Sequence, residues 1–295
     1  MPTAGLIEEL SVSNVLGEGV IWDAAKQVAW WTDIQSRALF QYNPDSGQLR
    51  NWTLPERLGC LASVEDSTRL VVAFESGFAF FEPTTGSVEW LARLDQEPGV
   101  RLNDGRADRQ GRFWAGSMLE GDNNSAARGA LYCLERDFSV RRMLSGLRIS
   151  NSLCWSPDAH VMYHADTPNG RIDCYDFDAG TGTPSGRRTF ARTAANHGPD
   201  GSTVDADGCV WNAQWGGSKI VRYTPEGSID FELPLPVSQP TCVAFGGPSL
   251  DLLFVTSAND GLSAEARRRE PSAGNLFVFQ TDTQGIQEPS FTPQR

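Results

Sequence analysis

Six short windows of the chain repeat one pattern, and one column of that repeat holds side chains able to do chemistry: Glu18, Cys60, Asn103, Asn151, Asp200 and Thr241. The windows are Leu16-Gly-Glu-Gly-Val-Ile-Trp-Asp, Leu58-Gly-Cys-Leu-Ala-Ser-Val-Glu, Arg101-Leu-Asn-Asp-Gly-Arg-Ala-Asp, Ile149-Ser-Asn-Ser-Leu-Cys-Trp-Ser, Pro199-Asp-Gly-Ser-Thr-Val-Asp and Pro240-Thr-Cys-Val-Ala-Phe-Gly. Four of the six column residues, Glu18, Asn103, Asn151 and Asp200, bear oxygen donors. If the fold brings them together, the two carboxylates repel unless one takes a proton or a cation binds. Carboxylate and amide oxygens are hard ligands. They favour calcium, magnesium or manganese over a structural zinc site, while a borderline ion such as zinc or iron can still bind. One divalent metal ion is therefore the expected cofactor.

The column residues are 42, 43, 48, 49 and 41 positions apart, the period of a four-stranded propeller blade. Each window reads as a first strand. An apolar run follows it, such as Gln27-Val-Ala-Trp-Trp-Thr or Arg69-Leu-Val-Val-Ala-Phe, and reads as a buried second strand. A third run ends in turn residues, as in Phe78-Ala-Phe-Phe-Glu-Pro-Thr-Thr-Gly, where Pro and Gly let the chain reverse into an edge strand such as Ser87-Val-Glu-Trp-Leu. The last copy has no strong fourth strand after Asn275-Leu-Phe-Val-Phe, whereas Leu6-Ile-Glu-Glu-Leu-Ser-Val precedes the first copy unused. The expected fold is all-β: a six-bladed β-propeller with four antiparallel strands per blade, residues 1–295 forming one domain, and the N-terminal strand sealing the ring. The first strands would line a central channel, so the column converges on its axis. Leu262 to Glu270 is expected to make a helical excursion whose Arg267 to Arg269 run faces solvent.

Composition narrows the function. With 37 acidic and 25 basic residues the formal charge is −12, which argues against nucleic acid as a partner, because phosphate binding relies on clustered cations. No apolar leader and no 18-residue apolar run stands in the sequence, so a cytoplasmic protein without membrane partners is expected, monomeric or weakly self-associating. Cys60, Cys133, Cys154, Cys174, Cys209 and Cys242 lie mainly in apolar runs without metal-ligand spacing and read as packed, reduced thiols. No Gly-x-Ser-x-Gly elbow supports a serine hydrolase. Of the three histidines, only His197 precedes a column residue closely; His160 and His164 read as packed or rim residues.

The motifs Leu16-Gly-Glu-Gly with Trp22, Arg101-Leu-Asn-Asp-Gly, Gly111-Arg-Phe-Trp-Ala-Gly-Ser-Met, Ile149-Ser-Asn, Pro199-Asp-Gly and Phe245-Gly-Gly-Pro give the chain a resemblance to the senescence marker protein (regucalcin), gluconolactonase and sugar lactonase family over nearly its whole length. The resemblance implies that Glu18, Asn151 and Asp200 hold the metal, and that Arg101 and Asn103 bind the sugar with an acid after the Gly-Ser-Met strand assisting. Glu120 stands at the matching distance, with Asp122 the other acid nearby. The expected activity is metal-dependent hydrolysis of a small-molecule sugar lactone to the open-chain aldonic acid, with Asp200 both ligand and general base. A calcium-binding regulatory protein, or an esterase or phosphotriesterase of the same propeller form, stays open beside it, as more remotely does a glycosidase using Glu18 and Asp200. Arg101 has a competing role in a surface ion pair with Asp104 or Asp108, and Trp215 could either face a sugar or pack.

Overall fold

The computed structural model describes residues 2–121 and 126–294; Asp122 lies outside the described residues. Six sheets of four antiparallel strands make six blades around an axis. Their innermost strands are Gly17–Asp23, Leu58–Ser63, Val100–Ala107, Ser150–Trp155, Gly198–Val204 and Pro240–Gly246, numbered here as blades 1 to 6. Each touches the next, and the sixth returns to the first. Ala4–Leu10 pairs antiparallel with Leu276–Thr281, from Ala4 opposite Thr281 to Leu10 opposite Leu276. It is the outermost strand of blade 6, so the two ends of the chain share one sheet and the ring is sealed as expected.

Burial falls outward along each blade. In blade 1 every residue of Gly17–Asp23 and Val28–Asp33 is buried, whereas Gln48–Thr53 is almost wholly exposed. That gradient explains why second strands read as continuous apolar runs: both of their faces are covered by adjacent blades. Trp211 and Ala213 of blade 5 pack with Phe245, Val255 and Phe277 of blade 6. Phe78 of blade 2 meets Phe113 of blade 3 edge to face. All six cysteines are buried free thiols, and the short helix Ala264–Arg269 is exposed apart from a partly covered Ala266.

Several acids are fold devices. Asp108 accepts from the Trp114 indole at 2.9 Å and the Arg112 Nε at 2.6 Å. Asp205, at the same phase two blades on, accepts from the Trp211 indole at 2.8 Å, Arg222 Nε at 2.7 Å and two turn amides. Such buried acids pin the hairpin between first and second strands.

One element has no counterpart in the sequence reading. The C-terminal segment after Gly285 runs under the mouth of the channel where the inner strands end. Gly285 pairs with Asp205, and Phe291, fully buried against blades 2 and 3, pairs with Val64. Glu288 ion-pairs there with Arg106. Arg106 itself crosses from blade 3 to donate to the carbonyls of Ser202 in blade 5, at 2.9 Å, and Val243 in blade 6, at 3.3 Å.

Candidate active site

Every inner strand breaks register at the same place. The shifts fall between Glu18 and Ile21, Leu58 and Cys60, Leu102 and Gly105, Asn151 and Cys154, Pro199 and Ser202, and Pro240 and Val243. A bulge adds an unpaired residue and turns the strand; repeated six times, it falls at the repeat column. Backbone at the bulge is unusual. Gly19 has φ +60°, and Ser152, directly after Asn151, reaches +61° despite its side chain. Gly201 leaves room for blade 6: a Cβ there would lie 2.6 Å from the Cys242 sulfur.

Glu18, Asn103, Asn151 and Asp200 therefore do converge, all buried, at the bottom of a cavity of about 400 Å³. Arg101, Glu120, Thr167, Gln35 and Asp260 add polar wall, and Leu16, Met118, Ile149 and Trp215 apolar wall. Cys60 and Thr241, the remaining column members, do not line it. The Thr241 hydroxyl instead donates to the Gly17 carbonyl. A larger hollow of about 630 Å³ lies at the other ends of the inner strands, lined by hairpin residues 23–26, 63–67 and 109–111 and the C-terminal segment. None of the column residues reaches it.

The amides are oriented by a chain of hydrogen bonds. Arg101 Nη1 donates to Asn103 Oδ1 at 2.7 Å; Asn103 Nδ2 then donates to Asn151 Oδ1 at 2.9 Å and to the Ser150 carbonyl at 3.0 Å. Asn151 Nδ2 donates to Thr167 Oγ1 at 2.8 Å, and Thr167 passes its proton to the Pro199 carbonyl at 2.8 Å. The Asn151 amide is thus fixed with its oxygen on the Asn103 side and its nitrogen on the Thr167 side.

The carboxyls behave oppositely. Burial, then the charge of Asp104, raises Glu18 to about 8, while the Gly19 amide at 3.0 Å opposes the rise. Burial, then Glu18, then Asp104 push Asp200 far above the usual carboxylate range. Asp200 Oδ1 is buried without a hydrogen-bond partner among the described residues. Two crowded acids and an orphaned oxygen describe a place where positive charge is missing. Hard oxygen donors on three blades fit a divalent cation there. Among the described residues no cluster of three or more His, Cys, Asp or Glu forms a metal site; this set counts two acids and an amide.

Glu120, also expected at the site, lines the cavity with both oxygens engaged: Arg101 Nε donates to one at 2.7 Å and Arg57 Nη1 to the other at 2.6 Å. Burial would raise its pKa, but the two guanidinium groups hold it below the ordinary value. Arg101 pairs with this acid and not with Asp104 or Asp108, correcting the competing ion-pair reading. Its Nη2 has no partner among the described residues. Trp215 does line the cavity. His197 does not, His160 is exposed, and His164 is buried against the Ser150 hydroxyl at 2.8 Å, where burial and then Arg187 lower it to about 4. Arg57 and Thr167 escaped the sequence reading, since neither falls in the repeat column, and Asp104 entered it only as a possible ion-pair partner of Arg101.

Fold and cavity define a six-bladed propeller with a polar axial pocket whose base is formed by one column residue from each of blades 1, 3, 4 and 5. A family model described as SMP-30/gluconolactonase/LRE-like region matches residues 16–259, and the chain belongs to that family. It is similar to the L-arabinolactonase of Azospirillum brasilense, 39% identical over 280 residues that span 94% of this chain and 92% of the relative. The 6-deoxy-6-sulfogluconolactonase of Pseudomonas putida is 35% identical over 283 residues, 94% and 95% of the two chains. Among solved structures, the regucalcin of Agrobacterium tumefaciens, described as a calcium-binding protein, superposes with a TM-score of 0.91 at 33% identity over 97% of each chain.

Proposed function

We propose that the chain hydrolyses a sugar aldonolactone to the open-chain aldonic acid in sugar catabolism, with a divalent cation held by Glu18, Asn151 and Asp200. The observation that carries this reading is the unpartnered, buried Asp200 oxygen beside Glu18 at the base of a polar pocket. Relatives named as lactonases, spanning nine-tenths or more of both chains, support the same substrate class.

When bound, a divalent cation supplies Lewis-acid polarisation of a carbonyl and stabilises negative charge developing on its oxygen. The protein's side chains do the rest. Asp200 accepts a proton from a water that attacks the carbonyl carbon. As the bond from that carbon to the ring oxygen breaks, the departing oxygen takes the proton back, leaving a hydroxy acid. Glu18 and Asn151 act as holders of the ion. Arg101, through its free Nη2, and Asn103 bind sugar hydroxyls, and Glu120 keeps the Arg101 fork aimed. The apolar wall of Leu16, Met118, Ile149 and Trp215 covers the carbon faces of the ring and limits water.

Acid release from a panel of pentono- and hexonolactones, with chelator and with Mg²⁺, Mn²⁺, Ca²⁺, Zn²⁺ or Fe²⁺ restored, tests the reading. Opening of at least one lactone well above its spontaneous rate, lost with chelator, is expected. If every lactone opens only at its spontaneous rate with each ion, the lactonase reading fails. Tight Ca²⁺ binding without turnover would then favour a calcium-binding role, which uses the same three residues.

A further inference from the structure

We propose that Asp260 makes the pocket select uncharged sugar lactones over lactones that carry an anionic substituent. The inference rests on the lactonase reading and names the substrate class within it.

In a ring of six, blade 6 stands diametrically across from blade 3. Asp260, between the second and third strands of blade 6, therefore faces Arg101 and Glu120 of blade 3 across the cavity that all three line. Its backbone is firmly held. Asn259 N and Asp260 N both donate to the Val15 carbonyl, at 3.0 and 2.9 Å. Leu262 N closes the turn on the Asn259 carbonyl at 3.3 Å through Gly261 at φ +69°. Arg267 clamps the same turn from the helix, Nη2 to the Asn259 carbonyl at 3.1 Å and Nε to the Leu262 carbonyl at 3.2 Å. The Arg267 donors that reach this turn go to those two carbonyls. The Asp260 carboxylate has no hydrogen-bond or ion-pair partner among the described residues, so a tightly tied turn presents an acid whose acceptor capacity is unused.

Charge decides what it accepts. The cavity wall carries four carboxylates, Glu18, Glu120, Asp200 and Asp260, and of these Glu120 is already paired with two guanidinium groups, Arg101 on the wall and Arg57 behind it. A divalent cation would match the charges of Glu18 and Asp200, and the two guanidinium groups match Glu120, so Asp260 is the acid on this wall left without a counter-charge among the described residues. An ionised carboxylate only accepts hydrogen bonds. Sugar hydroxyls supply the protons it lacks, and Gln35, lining the cavity from the neighbouring blade 1, offers both donor and acceptor. A phosphate, sulfonate or carboxylate substituent supplies no such proton at neutral pH and meets an unneutralised like charge.

The matched probes are D-glucono-1,5-lactone and its 6-phospho counterpart, opened by the cation-loaded wild type, Asp260→Asn and Asp260→Arg. Wild type is expected to prefer the uncharged lactone in kcat/KM by about tenfold or more, equivalent to about 1.4 kcal/mol. Asp260→Asn, which keeps size and breaks no side-chain contact, should narrow that ratio several-fold, and Asp260→Arg should narrow it further. A ratio equal in wild type and Asp260→Asn overturns the role of Asp260 while leaving the lactonase reading intact. Failure of wild type to open any lactone, including the uncharged probe, overturns both.

Discussion

The Asn103 side-chain amide donates to the Asn151 carbonyl oxygen at 2.9 Å across the seam between blades 3 and 4. This contact joins the two halves of the pocket, because Asn103 is held by Arg101 and Asn151 is the amide proposed to face the ion. Partners that orient a ligand typically change metal affinity 10- to 100-fold when removed. Asn103→Ala should therefore weaken cation binding about tenfold as well as raise KM. Chelator competition measures the first effect, and an unchanged affinity would confine Asn103 to substrate.

Asp200 and the cation should rise and fall together. A ligand at 100 times its Kd adds about 2.7 kcal/mol to stability, so cation should lift the melting temperature of the wild type by several degrees. Asp200→Ala should abolish both that lift and turnover. Asp200→Asn, keeping one oxygen donor, should retain part of the lift without turnover; full activity in this variant would remove Asp200 as the base.

The raised Glu18 pKa has a definite sign. The folded state holds the proton more tightly than the unfolded chain, whose carboxyl titrates near 4.5, so stability from this group is full below that pH and is lost as pH rises toward about 8. Cation-free protein should thus lose stability across that window relative to Glu18→Gln, which has no proton to release. His164, lowered to about 4, acts in the opposite direction below its ordinary 6.5, making the comparison with Glu18→Gln the clean one. Saturating cation should flatten the wild-type profile, since the ion takes the proton's place. Parallel melting curves of the two cation-free proteins from pH 5 to 8 would contradict the burial of Glu18 as an acid.

Arg101 has Nε on Glu120, Nη1 on Asn103 and on the Leu102 carbonyl at 3.1 Å, and Nη2 left over. A charged hydrogen bond contributes about 1.5–3 kcal/mol, so Arg101→Ala should raise KM for the best lactone at least tenfold. Glu120→Gln should produce a milder rise, because Arg101 keeps its place on blade 3. An unaltered KM in Arg101→Ala excludes it from substrate contact.

Asp205 provides the contrast between a buried acid that builds and one that reacts. Asp205→Ala strands the donors of Trp211 and Arg222, and removing one partner of such a pair costs about 3–5 kcal/mol. The melting temperature should fall sharply while activity per folded molecule stays near that of the wild type. Loss of activity at a temperature where the variant is fully folded would mean that blade 5 transmits the change to Asp200.

Periodicity made the ring and the four polar column residues legible, because both follow from residue types recurring at one phase. It also exposed the sealing strand, since one blade lacked an edge and one segment lacked a blade. What it could not reach were contacts made between columns. Glu120 is one residue beyond a strand end, and nothing local says that Arg57, 63 positions away, will occupy its second oxygen. Thr167 orients Asn151 from outside the repeat. Glycine marks some of the bulges in sequence, Gly19 among them, while Ser152 adopts the same left-handed backbone as Gly19 without being glycine. Asp260 sits in a turn specific to blade 6, and Phe291 is a single aromatic in a tail with no periodic neighbours.

Arg106 reaches from blade 3 to carbonyls on blades 5 and 6, with Glu288 of the C-terminal segment bound to it from below. A propeller axis is open in principle at both ends; here a guanidinium spans it as a floor. That bridge ties three blades together between the pocket at one end of the inner strands and the larger hollow at the other.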